Sequence, residues 1–455
     1  MAKPAKTIFE CTACGATSPK WLGRCPGCGG WSTLEETRFA PPSARQSGGE
    51  SRGAERPVAL AEVNPDDAER LSTGLAELDR VLGGGAVRGG VVLLGGDPGI
   101  GKSTLLMQAL AGMAASGRRA LYVTAEESAS QVALRARRLG MSGEVMVLAT
   151  TELDDVIAAL AATRYEVVVI DSIQTVRSAQ LESSAGSVAQ LREVAARLTE
   201  LAKRAGPAMF LIGHVTKDGG LAGPKVLEHL VDTVLAFEGD PTHAYRIVRA
   251  TKNRFGPAQE MGVFEMAREG LREVADASSI FIAERPLRAP GSVVVSTAQG
   301  NRPLLVEVQA LVAPALYGAP RRVVSGLDAN RLAVLLAVVQ RKGGIQVLDQ
   351  DVFASVAGGT RVDEPAVDLA LCAAVVSSLR NRAIATDVVV FGEVGLAGEV
   401  RAVTRPGVRL REAKKLGFAR AVLPKASVAH LTPEERAVLE LSAVADLDEA
   451  LAALF

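Results

Sequence analysis

A chain of 455 residues, 48% of them hydrophobic, has more apolar material than one ordinary domain needs and is expected to divide into two or three. A formal net charge of +0 excludes the broad basic face of a protein that coats nucleic acid as a monomer, although a ring or filament could still gather a few basic loops on one surface. No apolar run is long enough to span a bilayer and the N-terminus lacks a signal-peptide core, so a cytoplasmic location without membrane contact is expected.

Four of the five cysteines stand in the first 28 residues, as Cys11-x2-Cys14 and Cys25-x2-Cys28 with ten residues between the pairs. In a reducing compartment this clustering indicates metal binding rather than disulfides. Each pair offers two thiolates from one tight knuckle, and four thiolates close a tetrahedron around Zn²⁺ with no open position, which makes the site structural. The module spans 9–35 and contains both tryptophans of the chain, Trp21 and Trp31. Residues 36–57, rich in Pro, Ser, Gly and charge without apolar periodicity, read as a flexible linker.

From residue 58 onward, short apolar runs alternate with longer amphipathic stretches, the pattern of βαβ units and a mostly parallel sheet. Strands are predicted at 91–94, 120–124, 167–170, 208–212, 231–237 and 245–250, and helices at 103–115, 129–139, 153–162 and 188–204. This α/β domain is placed at 58–275. The pattern restarts with SIFIAERP, and 276–455 is read as a separate α+β domain, in which Cys372 is an inert core thiol.

Gly96, Asp97, Pro98, Gly99, Ile100, Gly101, Lys102 and Ser103 fit G-x-x-x-x-G-K-[ST] without a mismatch, between a predicted strand and a predicted helix. Glycines let the backbone N–H groups turn inward on the phosphates of ATP beside a positive helix end. Lys102 is assigned to the β- and γ-phosphates, Ser103 to Mg²⁺ and Thr104 to the α-phosphate. Asp171 ends the apolar strand VVVID and can orient the Mg²⁺ water. Glu126 and Glu127 end the strand after the P-loop helix. Either could polarise the attacking water, or simply open the next helix at its positive end. His214 closes AMFLIGH, where it could sense the γ-phosphate or be a satisfied structural histidine.

The stretch LSTGL at 71–75, Leu78-Asp79 and Gly83-Gly84-Gly85 lead into the P-loop as in RecA and KaiC relatives. Together with the order of four-Cys knuckle, ATPase and third domain, and with Lys252-Asn253-Arg254-Phe255-Gly256, the whole chain resembles the bacterial RadA (Sms) family. Taken alone, KNRFG would be a solvated basic turn. The resemblance implies a RecA-type P-loop core with Glu126 as the catalytic carboxylate. It also implies Lys252 and Arg254 as fingers reaching the γ-phosphate of a neighbouring subunit in a homo-oligomeric ring, expected to be a hexamer. The implied activity is a DNA-stimulated, helicase-like ATPase in homologous recombination, with single-stranded DNA, recombination intermediates and the RecA recombinase as partners. Arg177, Lys217 and Lys225 lie where RecA folds place DNA-facing loops; each is a phosphate contact or merely solvated. The C-terminal region is similar to the proteolytic domain of Lon, whose Ser–Lys dyad it lacks. Ala366 stands where the nucleophile would be, and 403–411 contains Arg but no Lys. That domain is therefore expected to serve ring assembly or DNA contact.

Overall fold

The computed structural model describes residues 6–11, 17–27, 29–39, 69–141, 144–214, 226–239, 245–258, 260–299, 302–315, 318–357 and 361–455. The chain divides into two compact units, Met1–Glu273 and Val274–Phe455. At the start, β1 (Lys6–Cys11) pairs antiparallel with β2 (Thr17–Ser18) and with β3 (Leu34–Phe39). Residues 36–39, placed in the linker on composition, instead complete β3, because their backbone pairs with 6–9. The rest of the expected linker, 40–57, lies outside the described residues.

The nucleotide-binding core begins with β4 (Arg70–Leu71), α1 (Ala76–Leu82), β5 (Ala86–Val87) and β6 (Val91–Gly96). Then follow α2 (Lys102–Ala115), β7 (Ala120–Thr124), α3 (Ala129–Arg138), β8 (Val145–Ala149), α4 (Leu153–Ala162) and β9 (Val167–Asp171). The unit closes with α5 (Val188–Ala205), β10 (Ala208–His214), α6 (Val226–Leu230), β11 (Thr233–Glu238), β12 (Tyr245–Asn253), β13 (Met261–Ala267) and β14 (Gly270–Glu273). The sheet order is β14-β13-β12-β11-β6-β10-β9-β7-β8. The strands from β11 to β8 run parallel, and β12 to β14 add an antiparallel flank.

Every residue of β6 is buried, as a central strand covered on both faces requires. One apolar cluster joins α1 and α2 to one face of the sheet, and a second joins α4 and α5 to the other. Each buried Val or Leu contributes roughly 1.5–3 kcal/mol. Three strands of this sheet escaped the sequence reading. β8 is an edge strand whose Met146 and Val147 are exposed, so it lacks the two-sided burial used as the signal. β13 and β14 form an antiparallel hairpin outside the βαβ rhythm.

The second unit contains α7 (Ala277–Ala283), β15 (Ser292–Gln299), β16 (Arg302–Pro314), β17 (Arg322–Ser325), α8 (Ala329–Arg341), β18 (Gln350–Val356) and α9 (Asp368–Leu379). It continues through β19 (Val388–Val390), β20 (Glu393–Val394), β21 (Val400–Arg401), α10 (Pro406–Lys415), β22 (Arg420–Pro424), α11 (Lys425–Val428), α12 (Pro433–Arg436), β23 (Glu440–Val444) and α13 (Leu447–Leu454). Its mixed sheet has the order β17-β18-β16-β15-β19-β22-β23. Cys372 is buried in α9, and desolvation pushes its thiol far above the usual range, which makes it inert.

Ala366 is 1% exposed, in a single turn just before α9. Beside it, the fully buried Arg409 of α10 pairs with Glu364 and also donates to Ser296 O at 2.6 Å and Thr404 O at 2.9 Å. Glu364 Oε2 in turn accepts from Thr297 Oγ1 at 2.9 Å and Ala298 N at 2.7 Å, tying the segment before α9 to β15. Removing one partner of such a buried pair leaves the other charge uncompensated. Arg409→Met is therefore expected to destabilise this unit by about 3 kcal/mol, and Arg409→Met with Glu364→Gln by less, measured by denaturant unfolding of the full chain.

Candidate nucleotide site and metal knuckle

The parallel strands deliver their C-terminal ends to one edge. Register pairs Gly96 with His214 of β10 on one side and with Phe237 of β11 on the other. A Cβ on Gly96 would lie 2.5 Å from Phe237 O, so only glycine lets the strand turn there. Gly101, at φ +114°, combines a left-handed backbone with Met266 Cε 2.8 Å from where its Cβ would be. It is the N-cap of α2 and provides no side-chain cap, so that helix presents its positive end and first-turn N–H groups to the loop.

Lys102 is 4% exposed, and its Nζ donates to Gly96 O at 2.7 Å and to Asp97 O at 2.8 Å. Burial pushes its pKa down, while the charges of Asp171, Asp97 and Glu126 oppose that shift. A buried ammonium at an uncapped helix N-terminus, with carbonyls as its direct partners, fits a polyphosphate.

Asp171 is placed by backbone pairing. It sits opposite Thr124, Ala125 N donates to Asp171 O at 2.8 Å, and Ile173 N donates to Ile212 O at 3.0 Å. This clamp brings the segments after β7 and β9 together, so that Ser172 Oγ donates to Glu126 Oε1. Tyr122, fully buried, donates its hydroxyl to Asp171 Oδ2 and also meets the Ser103 hydroxyl. Burial, and then the Asp171 charge, pushes the phenol far above its usual pKa, which keeps it a donor.

Glu126 and Glu127 have different partners. Ser128 and Gln131 form a capping box that starts α3, and Glu127 pairs with Arg135 two turns along it. Arg135 Nη1 also lies 3.9 Å from Asp171 Oδ2. Glu126 is the carboxylate joined to Ser172 and acting on the charge of Lys102. Tyr122, Arg135 and Ser172 went unread in the sequence. An aromatic inside a buried strand looks like core, although the serine directly following Asp171 was a signal available to be read.

The other expected residues lie elsewhere. Arg177 is 58% exposed, pairs with Glu152 at 2.5 Å, and its backbone straps the start of α4. Lys217 and Lys225 lie outside the described residues, as does the side chain of His214. Lys252 and Arg254 sit at the opposite end of the sheet from the P-loop. Asp232, preceding β11, accepts from Val91 N at 3.1 Å at the start of β6, and Arg254 N donates to Asp232 O at 3.1 Å. Lys252 Nζ donates to Glu228 O at 2.5 Å and Val231 O at 2.7 Å, which closes the end of α6; burial, then Arg254, lowers its pKa. Asn253 Nδ2 reaches Val81 O and Leu82 O at the end of α1, and Gly256 packs flat on Gly83. Arg254 alone projects, 52% exposed, with Nη1 3.2 Å from Asp232 Oδ1.

In the N-terminal module, Cys11 and Cys25 are buried together with Leu34. Gly27 N donates to Cys25 Sγ at 3.3 Å and Gly29 N to Cys25 O at 2.9 Å, a tight turn in which a backbone N–H supports a thiolate. These two thiols fit a metal knuckle; Cys14 and Cys28 lie outside the described residues.

Fold and site together define a RecA-type P-loop ATPase with an N-terminal metal knuckle and a C-terminal α+β unit. Comparison with known families agrees: residues 55–220 match the AAA domain, 9–36 the rubredoxin metal binding domain and 345–455 the Lon protease (S16) C-terminal proteolytic domain. These matches carry ATP and zinc as cofactors. DNA repair protein RadA of Pseudomonas aeruginosa is 54% identical, with all of both chains covered. The RadA proteins of Escherichia coli (48%, 98% of each chain) and Bacillus subtilis (45%, 99% of each) are similarly close. The chain belongs to the RadA family. A solved KaiC-like protein from Pyrococcus horikoshii aligns over 46% of this chain and 99% of its own, at 22% identity and a TM-score of 0.39, too remote to carry an argument. Among the described residues, no helix is long and apolar enough to cross a membrane.

If Tyr122 holds Asp171 in place, Tyr122→Phe removes that hold without opening a cavity. Steady-state ATP hydrolysis is expected to fall roughly tenfold, while equilibrium binding of a non-hydrolysable ATP analogue stays within about threefold.

Proposed function

We propose that this chain is a DNA-dependent ATPase that moves along single-stranded DNA in recombination intermediates, working as a homo-oligomeric ring beside the RecA recombinase in homologous-recombination repair. One observation carries the reading: the phosphate machinery and the projecting Arg254 occupy opposite ends of the same sheet. β6 separates them by its six residues, roughly 17 Å. Arg254 therefore cannot serve its own phosphates, and a stacked second copy would bring it to the P-loop of the next subunit. Of the two finger candidates Arg254 is the stronger, because the Lys252 ammonium is engaged by the carbonyls of α6.

In this reading Ser103 and Asp171 would hold Mg²⁺, which would offset the charge of the phosphates. Lys102 neutralises the γ-phosphate, Glu126 orients the attacking water and Arg254 stabilises the charge that develops in the neighbouring site. Hydrolysis then requires assembly, and assembly places the loops after β9 and β10 around a common axis, where Arg177, Lys217 and Lys225 contact phosphates. The relatives' name, DNA repair protein RadA, supports DNA as the track. The neutral net charge favours a second reading, in which nucleotide controls assembly without translocation.

The test is steady-state hydrolysis with and without oligothymidylate. Wild type is expected to be stimulated severalfold, and Lys102→Ala and Arg254→Ala each to fall at least a hundredfold, with Arg254→Ala still binding nucleotide. Mixing the two inactive variants pairs an intact P-loop with an intact arginine and is expected to restore part of the activity. Hydrolysis that ignores DNA would leave only the assembly reading, and a mixture without recovery would remove the finger role of Arg254.

A further inference from the structure

The two tryptophans of the chain both lie in the metal knuckle, and both are on its surface: Trp21 is 56% exposed and Trp31 73%. This is the reverse of what burial favours in a module whose core consists of Cys11, Cys25 and Leu34 with Phe9 against it. Trp21 does not dangle, because its Nε1 donates to Leu34 O at 3.1 Å. The rings share one patch. A Cβ on Gly23, between them in sequence, would lie 3.9 Å from Trp21 Cη2 and 3.7 Å from Trp31 Cζ3. Glycine at 23 keeps the space between the rings open. Arg24 pairs with Trp31 in an isolated antiparallel bridge and is held by its Nε on Gly29 O at 3.0 Å; Lys20 is exposed on the other side of Trp21.

We infer that Trp21 and Trp31 form a stacking platform for the unpaired bases of single-stranded nucleic acid, with Lys20 and Arg24 taking the adjacent phosphates. Flat aromatic faces next to one braced and one exposed cation match a strand that alternates aromatic bases with anionic linkages, whereas an apolar peptide would leave both cations unanswered. The patch can hold few nucleotides, so it is an accessory contact that would keep a strand near the motor. This inference rests on the reading of single-stranded DNA as the track.

The two rings are the only tryptophans, so tryptophan emission of the zinc-loaded full chain reports on this patch alone. Emission would be followed during titration with oligothymidylate while anisotropy of an end-labelled oligothymidylate records total binding. Stacking is expected to quench emission in step with anisotropy. Trp31→Ala is expected to weaken binding roughly tenfold, and Trp31→Phe to retain most of it, with zinc content unchanged in both. Binding without quenching, at full affinity in Trp31→Ala, would overturn the platform and leave the DNA-motor reading standing. Absence of any anisotropy change in wild type would overturn both. Emission that ignores oligothymidylate but shifts on dilution of the protein would assign the rings to contact between copies and likewise overturn the platform.

Discussion

The nucleotide site depends on how Asp171 is held at the end of β9. Its backbone oxygen takes the N–H of Ala125, and its carboxylate takes the hydroxyl of Tyr122. The first bond joins the segments after two neighbouring strands, which is why Glu126 and Ser172 meet although 46 residues apart. The second points a carboxylate oxygen at the hydroxyl shared with Ser103, at the start of the P-loop helix. Lys102, Glu126 and Asp171 therefore come together through strand register, and flexible side chains need supply little of the ordering.

Asp232 organises the other end of the sheet in the same way. It is 4% exposed and answers three donors: the backbone of Val91 and both the backbone and guanidinium of Arg254. Around it, Lys252 closes α6, Asn253 closes α1 and Gly256 lies on Gly83. KNRFG is therefore a braced turn in which four residues make structure and one is presented. An arginine on a rigid base loses little conformational freedom when it meets an anion.

What was legible in the sequence follows from how local each constraint is. The P-loop was readable residue by residue because its signature falls within eight consecutive positions, where Gly101 at positive φ answers a local backbone requirement. The central strands were readable because both of their faces are buried, and β8 was missed because neither of its faces is fully buried. The choice between Glu126 and Glu127 was beyond spacing, since it turns on Arg135 two helical turns away and Ser172 on another strand. The difference between Lys252 and Arg254 was hidden for the same reason. The carbonyls that engage Lys252 belong to a helix 21 to 24 residues earlier, and nothing in the motif itself announces them.

The C-terminal unit combines a protease-like sheet with residues that differ from a Ser–Lys dyad. A Ser–Lys dyad needs a small cavity in which a hydroxyl and an uncharged amine can meet a peptide carbonyl. Here the turn before α9 carries Ala366, buried, and the buried Arg409 is answered by Glu364, just before that turn, and by two backbone carbonyls. Neither group can act as nucleophile or base. Instead the pair ties together β15, α10 and the segment leading into α9. A buried charge pair held by several hydrogen bonds contributes little net stability compared with an apolar core, but it strongly disfavours arrangements that separate its partners. That is a property of a scaffold.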